Sequence, residues 1–176
     1  SSNAFSILKL IKQKKIKREI LNKLINLVGT DLRLFFNNQG HLRNLKKVDK
    51  LSKNHKLYFM IVYPNIRCLT KKIYSKVKKF SKKRKFSKKN FKSKKELINQ
   101  ILNLNNDLQS IVEKKYPLIR TLLSNISKQH NCYLARMTGS GSACFGLFLN
   151  ENSSKVALKK LRKKYPKFWF SIAKTI

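Results

Sequence analysis

Residues 56–63, KLYFMIVY, form an almost unbroken apolar run that stops at Pro64. A strand with one wet face alternates apolar and polar side chains, whereas a run without alternation is buried on both faces. The segment therefore predicts a central strand, and Pro64, with no N–H to donate, predicts its end. A central strand needs neighbours, and three further segments can supply them: 132–137, 142–149 and 167–174, the last with Phe168, Trp169, Phe170 and Ile172. Elsewhere the apolar spacing becomes helical, over 71–79, 94–104, 107–114, 117–129 and 153–164. Thr70 is placed to cap the first of these helices, Ser153 to begin the last, and Pro117 suits a first helical turn. Four strands with several helices on one side predict an α+β sandwich.

The N-terminal part is less regular. Apolar residues from Phe5 to Leu27 follow helical spacing, read as two helices broken near Gln13 to Lys17, with Gly29 as a C-terminal cap. Residues 30–36, TDLRLFF, read as a short loop and a strand, and the polar residues 37–55 predict no element.

Composition narrows the function classes. A chain that is 41% hydrophobic can build a core. It contains no run of 18 apolar residues, so no transmembrane helix and no membrane partner are predicted. The start, SSNAFSILKLIKQKK, lacks the charged region and cleavage site of a signal peptide. Cys68, Cys132 and Cys144 are odd in number and widely spaced, which suits a reducing, cytoplasmic setting and neither a disulfide framework nor a zinc site. His41, His55 and His130 show no metal-binding spacing, so no metal ligand is assigned. Nothing in the sequence sets an oligomeric state.

Forty-two basic residues against 7 acidic ones give a net charge of +35. Such a field attracts nucleic acid, which makes a basic nucleic-acid-binding module the rival to any enzymatic reading. Only eight of the basic residues are arginine, however, the side chain that grips phosphates and bases bidentately. The rest is lysine, which A/T-rich codons supply together with asparagine and isoleucine. Codon composition is the preferred source of the charge, and no specific nucleic-acid partner is predicted. Residues 71–95 hold thirteen lysines with no acid before Glu96, and the middle of this self-repelling run, 80–93, reads as a solvated loop.

Against that background RMTGSGSACFGLF, residues 136–148, has three of the five glycines and no lysine. Gly139, Ser140 and Gly141 can adopt backbone angles closed to other residues and let a ligand approach the main chain. Their N–H groups fit either of two readings, a phosphate cradle or a plain turn between strands. RMTGSGSACFGLF resembles the third motif of the GHMP kinase superfamily. SSNA at residues 1–4 resembles the tail of that superfamily's glycine-rich second motif, although a leader left by cloning can end the same way. VGTDLRLFF resembles the segment with the catalytic aspartate. YPNIRCLTKKIY, NNDL at 105–108 and YPKFWFSIAKT are similar to one branch, the 4-diphosphocytidyl-2-C-methyl-D-erythritol kinases.

The resemblance implies a GHMP architecture: residues 1–52 as the end of the ATP-binding domain and 55–176 as a C-terminal αβ sandwich with a four-stranded antiparallel sheet. It implies ATP and Mg2+ as cofactors and a cytidine-diphosphate methylerythritol as small-molecule substrate, phosphorylated on its 2-hydroxyl in isoprenoid precursor synthesis. The lysine strand and most of the glycine-rich loop that the family places upstream are not in this sequence, so the 176-residue chain alone is expected to be inactive.

The same resemblance assigns roles. Asp31 becomes the catalytic base; without the family it would read as an exposed loop aspartate. Ser1 and Ser2 would lie at a helix N-terminus facing phosphate, with one hydroxyl toward magnesium, or would simply be helix caps. Gly139, Ser140, Gly141 and Ser142 would lie against the phosphates or the substrate's diphosphate. Tyr74 matches the aromatic that stacks on cytosine, and equally a core tyrosine; Thr70 matches a substrate contact, and equally a cap. Asn106 and Asp107 read as structural. Two departures stand out: Arg33 replaces the family's proline, and QGHLRNLKKVDKL replaces a glycine-rich segment.

Overall fold

The computed structural model describes residues 19, 23, 25–27, 33–34, 39–43, 47–81 and 91–175. Contacts divide the chain into two compact units: Ser1–Asn54 with Lys88–Asn90 and Ile176, and His55–Ser87 with Phe91–Thr175. In the first unit Glu19, Lys23 and Ile25–Leu27 are helical, Ile25 being buried and Leu27 exposed. The helix break expected at 13–17 and the cap at Gly29 lie outside the described residues. Arg33 and Leu34 form a 3₁₀ turn rather than part of the predicted strand.

The polar segment beyond holds a hairpin that its composition hides, β1 (Gly40–Arg43) against β2 (Lys47–Lys50), in the register Gly40↔Lys50 to Arg43↔Lys47. Two side-chain devices fix it. A Cβ at Gly40 would meet Val48 Cγ1 at 2.7 Å, so the strands approach closely there. Arg43 Nε also lies 3.3 Å from Asp49 Oδ2 across the pair.

The second unit is built on the central strand, β3 (Tyr58–Tyr63). With β4 (Cys132–Met137), β5 (Cys144–Phe148) and β6 (Trp169–Lys174) it makes an antiparallel sheet in the order β4-β5-β3-β6. Among the described residues five helices accompany it: α1 (Thr70–Tyr74), α2 (Lys94–Leu102), α3 (Gln109–Lys115), α4 (Pro117–Ser127) and α5 (Glu151–Lys164). Alternation selects one sheet face for the core. Met60 and Val62 of β3, Cys144 and Phe148 of β5, Met137 of β4 and Phe170 of β6 pack against Val112, Ile119, Leu122, Ile126, Ala157 and Leu161 of α3, α4 and α5. Gly146 lets α4 come close: a Cβ there would stand 2.8 Å from Ile126 Cγ2. On the other face Arg136 Nη1 donates to the Ile101 carbonyl at the end of α2, whose Leu97 and Ile98 are buried outside the main cluster.

Helix ends follow their caps, and this moves several predicted boundaries. Ser93 caps α2 by accepting from the Glu96 N–H, while Glu96 reaches back to the Lys92 N–H, a reciprocal arrangement close to a capping box. α4 does open on Pro117. α5 begins at Glu151 rather than Ser153, because Asn150 is the cap and Ser153 supplies the N–H that Asn150 Oδ1 accepts, at 2.8 Å. β6 begins at Trp169 because Tyr165 to Phe168 close a turn, with Phe168 N–H on the Tyr165 carbonyl and the two rings stacked 4.8 Å apart. No described helix is long and apolar enough to cross a membrane.

Candidate functional site

The loop between β4 and β5 is a tight turn with a closed side and an open side. Its frame is two backbone bonds: Gly141 N–H to the Thr138 carbonyl at 2.9 Å, and Thr138 N–H to the Ala143 carbonyl at 2.8 Å. Gly139 and Gly141 both have positive φ, +48° and +87°, which a residue with a Cβ adopts only at a cost. Their surroundings differ. A Cβ at Gly141 would meet Met137 Sδ at 2.7 Å and Cys68 Sγ at 3.4 Å, so this glycine presses on the core. A Cβ at Gly139 would meet nothing within 4 Å, so that glycine faces open space.

The four loop residues named from the sequence divide along the same line. Ser142 is buried, and its hydroxyl donates to the Ile66 carbonyl at 2.6 Å, tying the loop to the chain that follows β3. Ser140 stands on the open side, and its Oγ lies 2.9 Å from Thr70 Oγ. Thr70 is therefore not the cap of α1; Leu69 occupies that position, and the threonine hydroxyl pairs with the loop instead. Buried Ile73 seats α1 on the core, and Tyr74, next to it, is 51% exposed. A core role for Tyr74 is thereby excluded. Thr70, Tyr74 and Ser140 thus share one neighbourhood, although Thr70 and Ser140 are 70 positions apart. Ser1, Ser2 and Asp31 lie outside the described residues.

Two side chains that sequence reading did not assign to the site hold the loop from behind. Asn106 Nδ2 donates both to the Met137 carbonyl, at 3.0 Å, and to the Gly139 carbonyl, at 2.8 Å, while its Oδ1 accepts from Leu108 N–H. Gln109 Oε1 accepts from Met137 N–H and its Nε2 donates to Glu113, which also lies 3.8 Å from Arg120 Nε. Next to Asn106, the Asp107 carboxylate accepts from both the N–H and the hydroxyl of Ser81, and these bonds hold its pKa below the usual value. Below the loop the Cys144 thiol is pushed up to about 12 by burial, with Glu113 and Cys68 adding to the effect, so it stays neutral over the physiological range. Burial also raises the Cys68 thiol, and Lys115 partly offsets it. A separate cavity of about 170 Å³, lined in part by His130, Ser153 and Lys160, shares no residue with the loop. Among the described residues no three His, Cys, Asp or Glu side chains come together as metal ligands would.

The family model described as GHMP kinases C terminal matches residues 85–167, which take in Asn106, the Gly-Ser loop and α5. Over its full length the chain is 31% identical to the 4-diphosphocytidyl-2-C-methyl-D-erythritol kinase of Pelagibacter ubique (strain HTCC1062). Residues 85–167 are thus similar to the C-terminal part of the GHMP kinases. A second relative, the kinase of that same description from Wolbachia sp. subsp. Drosophila simulans (strain wRi), is 32% identical over 96% of this chain. The chain spans 63% and 60% of these two relatives, roughly three fifths of their length. The same fold is seen in the crystal structure of a 4-(cytidine 5'-diphospho)-2C-methyl-D-erythritol kinase. It superimposes with a TM-score of 0.70 over 98% of this chain and 63% of that one, at 19% identity.

Proposed function

We propose that the chain is the C-terminal part of an ATP-dependent kinase of the cytoplasm, acting on the 2-hydroxyl of 4-diphosphocytidyl-2-C-methyl-D-erythritol in the route to isoprenoid precursors. On this reading residues 1–52 end the ATP-binding domain and 55–176 form the GHMP C-terminal domain. The observation that carries it is the hydrogen bond between Thr70 and Ser140. It joins the segment similar to the substrate-binding stretch of these kinases to the loop similar to their third motif, with Tyr74 exposed one turn further on.

Phosphoryl transfer asks for positioning and charge rather than for covalent chemistry by the protein. Tyr74 stacks on the cytosine and Thr70 contacts the substrate, while the open side of the Gly139–Gly141 turn takes the diphosphate. Asp31 accepts the proton as the 2-hydroxyl oxygen forms its bond to the γ-phosphorus and the bond to the bridging oxygen breaks, leaving ADP. Magnesium supplies neutralising charge on the phosphates when bound; its protein contact on this reading is a hydroxyl of Ser1 or Ser2. The free thiols of Cys68, Cys132 and Cys144 suit a reducing compartment.

The test has two steps. The reading frame upstream of Ser1 should encode a lysine-containing strand and a glycine-rich loop. The completed protein should then consume ATP only when the cytidine-diphosphate methylerythritol is supplied. A completed, folded protein that consumes none in its presence would refute the reading.

A further inference from the structure

We propose that Asn106 is a positioning residue for the Gly-Ser loop, setting the direction in which the Ser140 N–H points and so fitting the turn to take a diphosphate. This rests on the reading of the loop as a phosphate contact. The argument starts from the peptide plane. In a trans peptide the carbonyl of one residue and the N–H of the next point in opposite directions. Fixing the Gly139 carbonyl therefore fixes the Ser140 N–H. The carbonyl is held on the domain side by Asn106 Nδ2 at 2.8 Å, so the Ser140 N–H is directed away from Asn106. It meets no acceptor among the described residues.

Without that hold the plane has little to restrain it. Gly139 has no side chain, a positive φ and nothing within 4 Å of where a Cβ would be. A flip would present the Gly139 carbonyl to the open side, and a carbonyl oxygen repels the anion that an N–H attracts. Asn106 suits the task by its chemistry. One nitrogen carries two hydrogens, for the Met137 and Gly139 carbonyls, and the oxygen is itself anchored on Leu108 N–H. Aspartate has the same shape and no donor when ionised, so Asn106→Asp would set a carboxylate against both carbonyls. The neighbouring Asp107 faces Ser81 and not the loop, which makes it the internal control.

The experiment is a titration of the 176-residue chain with inorganic pyrophosphate at about 0.15 M salt, following backbone amide resonances. A net charge of +35 will draw pyrophosphate to surface lysines, so only a residue-resolved readout in screening salt is informative. The Ser140 amide should shift saturably in the parent chain and in Asp107→Ala. In Asn106→Asp and Asn106→Ala the same shift should require about tenfold more pyrophosphate, the effect of about 1.4 kcal/mol of lost orientation. Unchanged Met60, Val62 and Ile126 amides would show that each variant is folded, and the alanine variant serves if the aspartate variant is not. Equal affinity in parent and Asn106 variants would overturn the positioning role and leave the phosphate reading intact. A silent Ser140 amide in the parent would overturn both.

Discussion

Replacing either glycine of the turn by alanine separates backbone strain from crowding. Both residues have positive φ, a conformation that costs an L-residue about 1–2 kcal/mol. For Gly139→Ala that is the whole cost, because the new methyl meets nothing within 4 Å. For Gly141→Ala the methyl would lie 2.7 Å from Met137 Sδ, with Cys68 Sγ and Val112 Cγ1 just behind, at 3.4 and 3.5 Å. Met137 is itself fully buried, so its thioether can yield only by disturbing the core, and overpacking of this kind costs about 1–3 kcal/mol. Gly141→Ala should therefore lose about 3 kcal/mol, roughly twice the loss in Gly139→Ala. Urea unfolding followed by circular dichroism reads this directly. With a slope of about 1–3 kcal/mol per molar, the two midpoints should differ by roughly 1 M, Gly141→Ala unfolding first. A Gly139→Ala variant at least as unstable as Gly141→Ala would refute the assignment of a closed and an open side.

Three further outcomes are expected. The raised Cys144 thiol contributes no pH dependence while both states are protonated; above the ordinary thiol range the unfolded chain ionises and the native state does not, up to about 12. Stability should thus fall by about 1.4 kcal/mol per pH unit across that window, and urea midpoints at pH 8 and 10 should draw closer together in Cys144→Ala; an unchanged gap would refute the burial effect. On the proposed reading, Asp31→Asn in the completed protein should lower turnover about a hundredfold or more with ATP affinity little changed, as loss of a positioned base does, and near-normal turnover would remove Asp31 from that role. Binding of the chain to mixed-sequence DNA should disappear at moderate salt and show no sequence preference; salt-resistant or sequence-selective binding would make the lysine surface a functional site.

The sheet of the second unit is legible in the sequence because its signal is local. The apolar run ending at Pro64 places β3 in the centre, and the observed order β4-β5-β3-β6 puts it there. Residues 132–137 form β4 at the predicted positions, and Pro117 opens α4 as its fixed φ suits. The misplaced ends have a common cause: several residues can cap the same turn. Ser153 and Asn150 are both good caps, and the hydrogen bond that chooses Asn150 belongs to the folded backbone, not to residue type. The hairpin β1–β2 lacks a local signal altogether, since two four-residue strands of polar composition are fixed by a missing Cβ at Gly40 and one ion pair.

The site divides in the same way. Glycine at 139 and 141 announces a special backbone, and a motif resemblance can attach Thr70, Tyr74 and Ser140 to a common task. Which glycine faces the core, which serine is committed to Ile66 and which to Thr70, and that Asn106 bonds to a carbonyl 33 residues away, are facts of tertiary contact. Asn106 in particular looks like an ordinary residue ahead of a helix, since its Oδ1 does accept from Leu108 N–H as a local turn would require. The two hydrogens left over on its nitrogen do the distant work. An asparagine that satisfies a local turn through its oxygen still has both donors to spend, and in this chain both go to the β4–β5 turn, on the Met137 and Gly139 carbonyls.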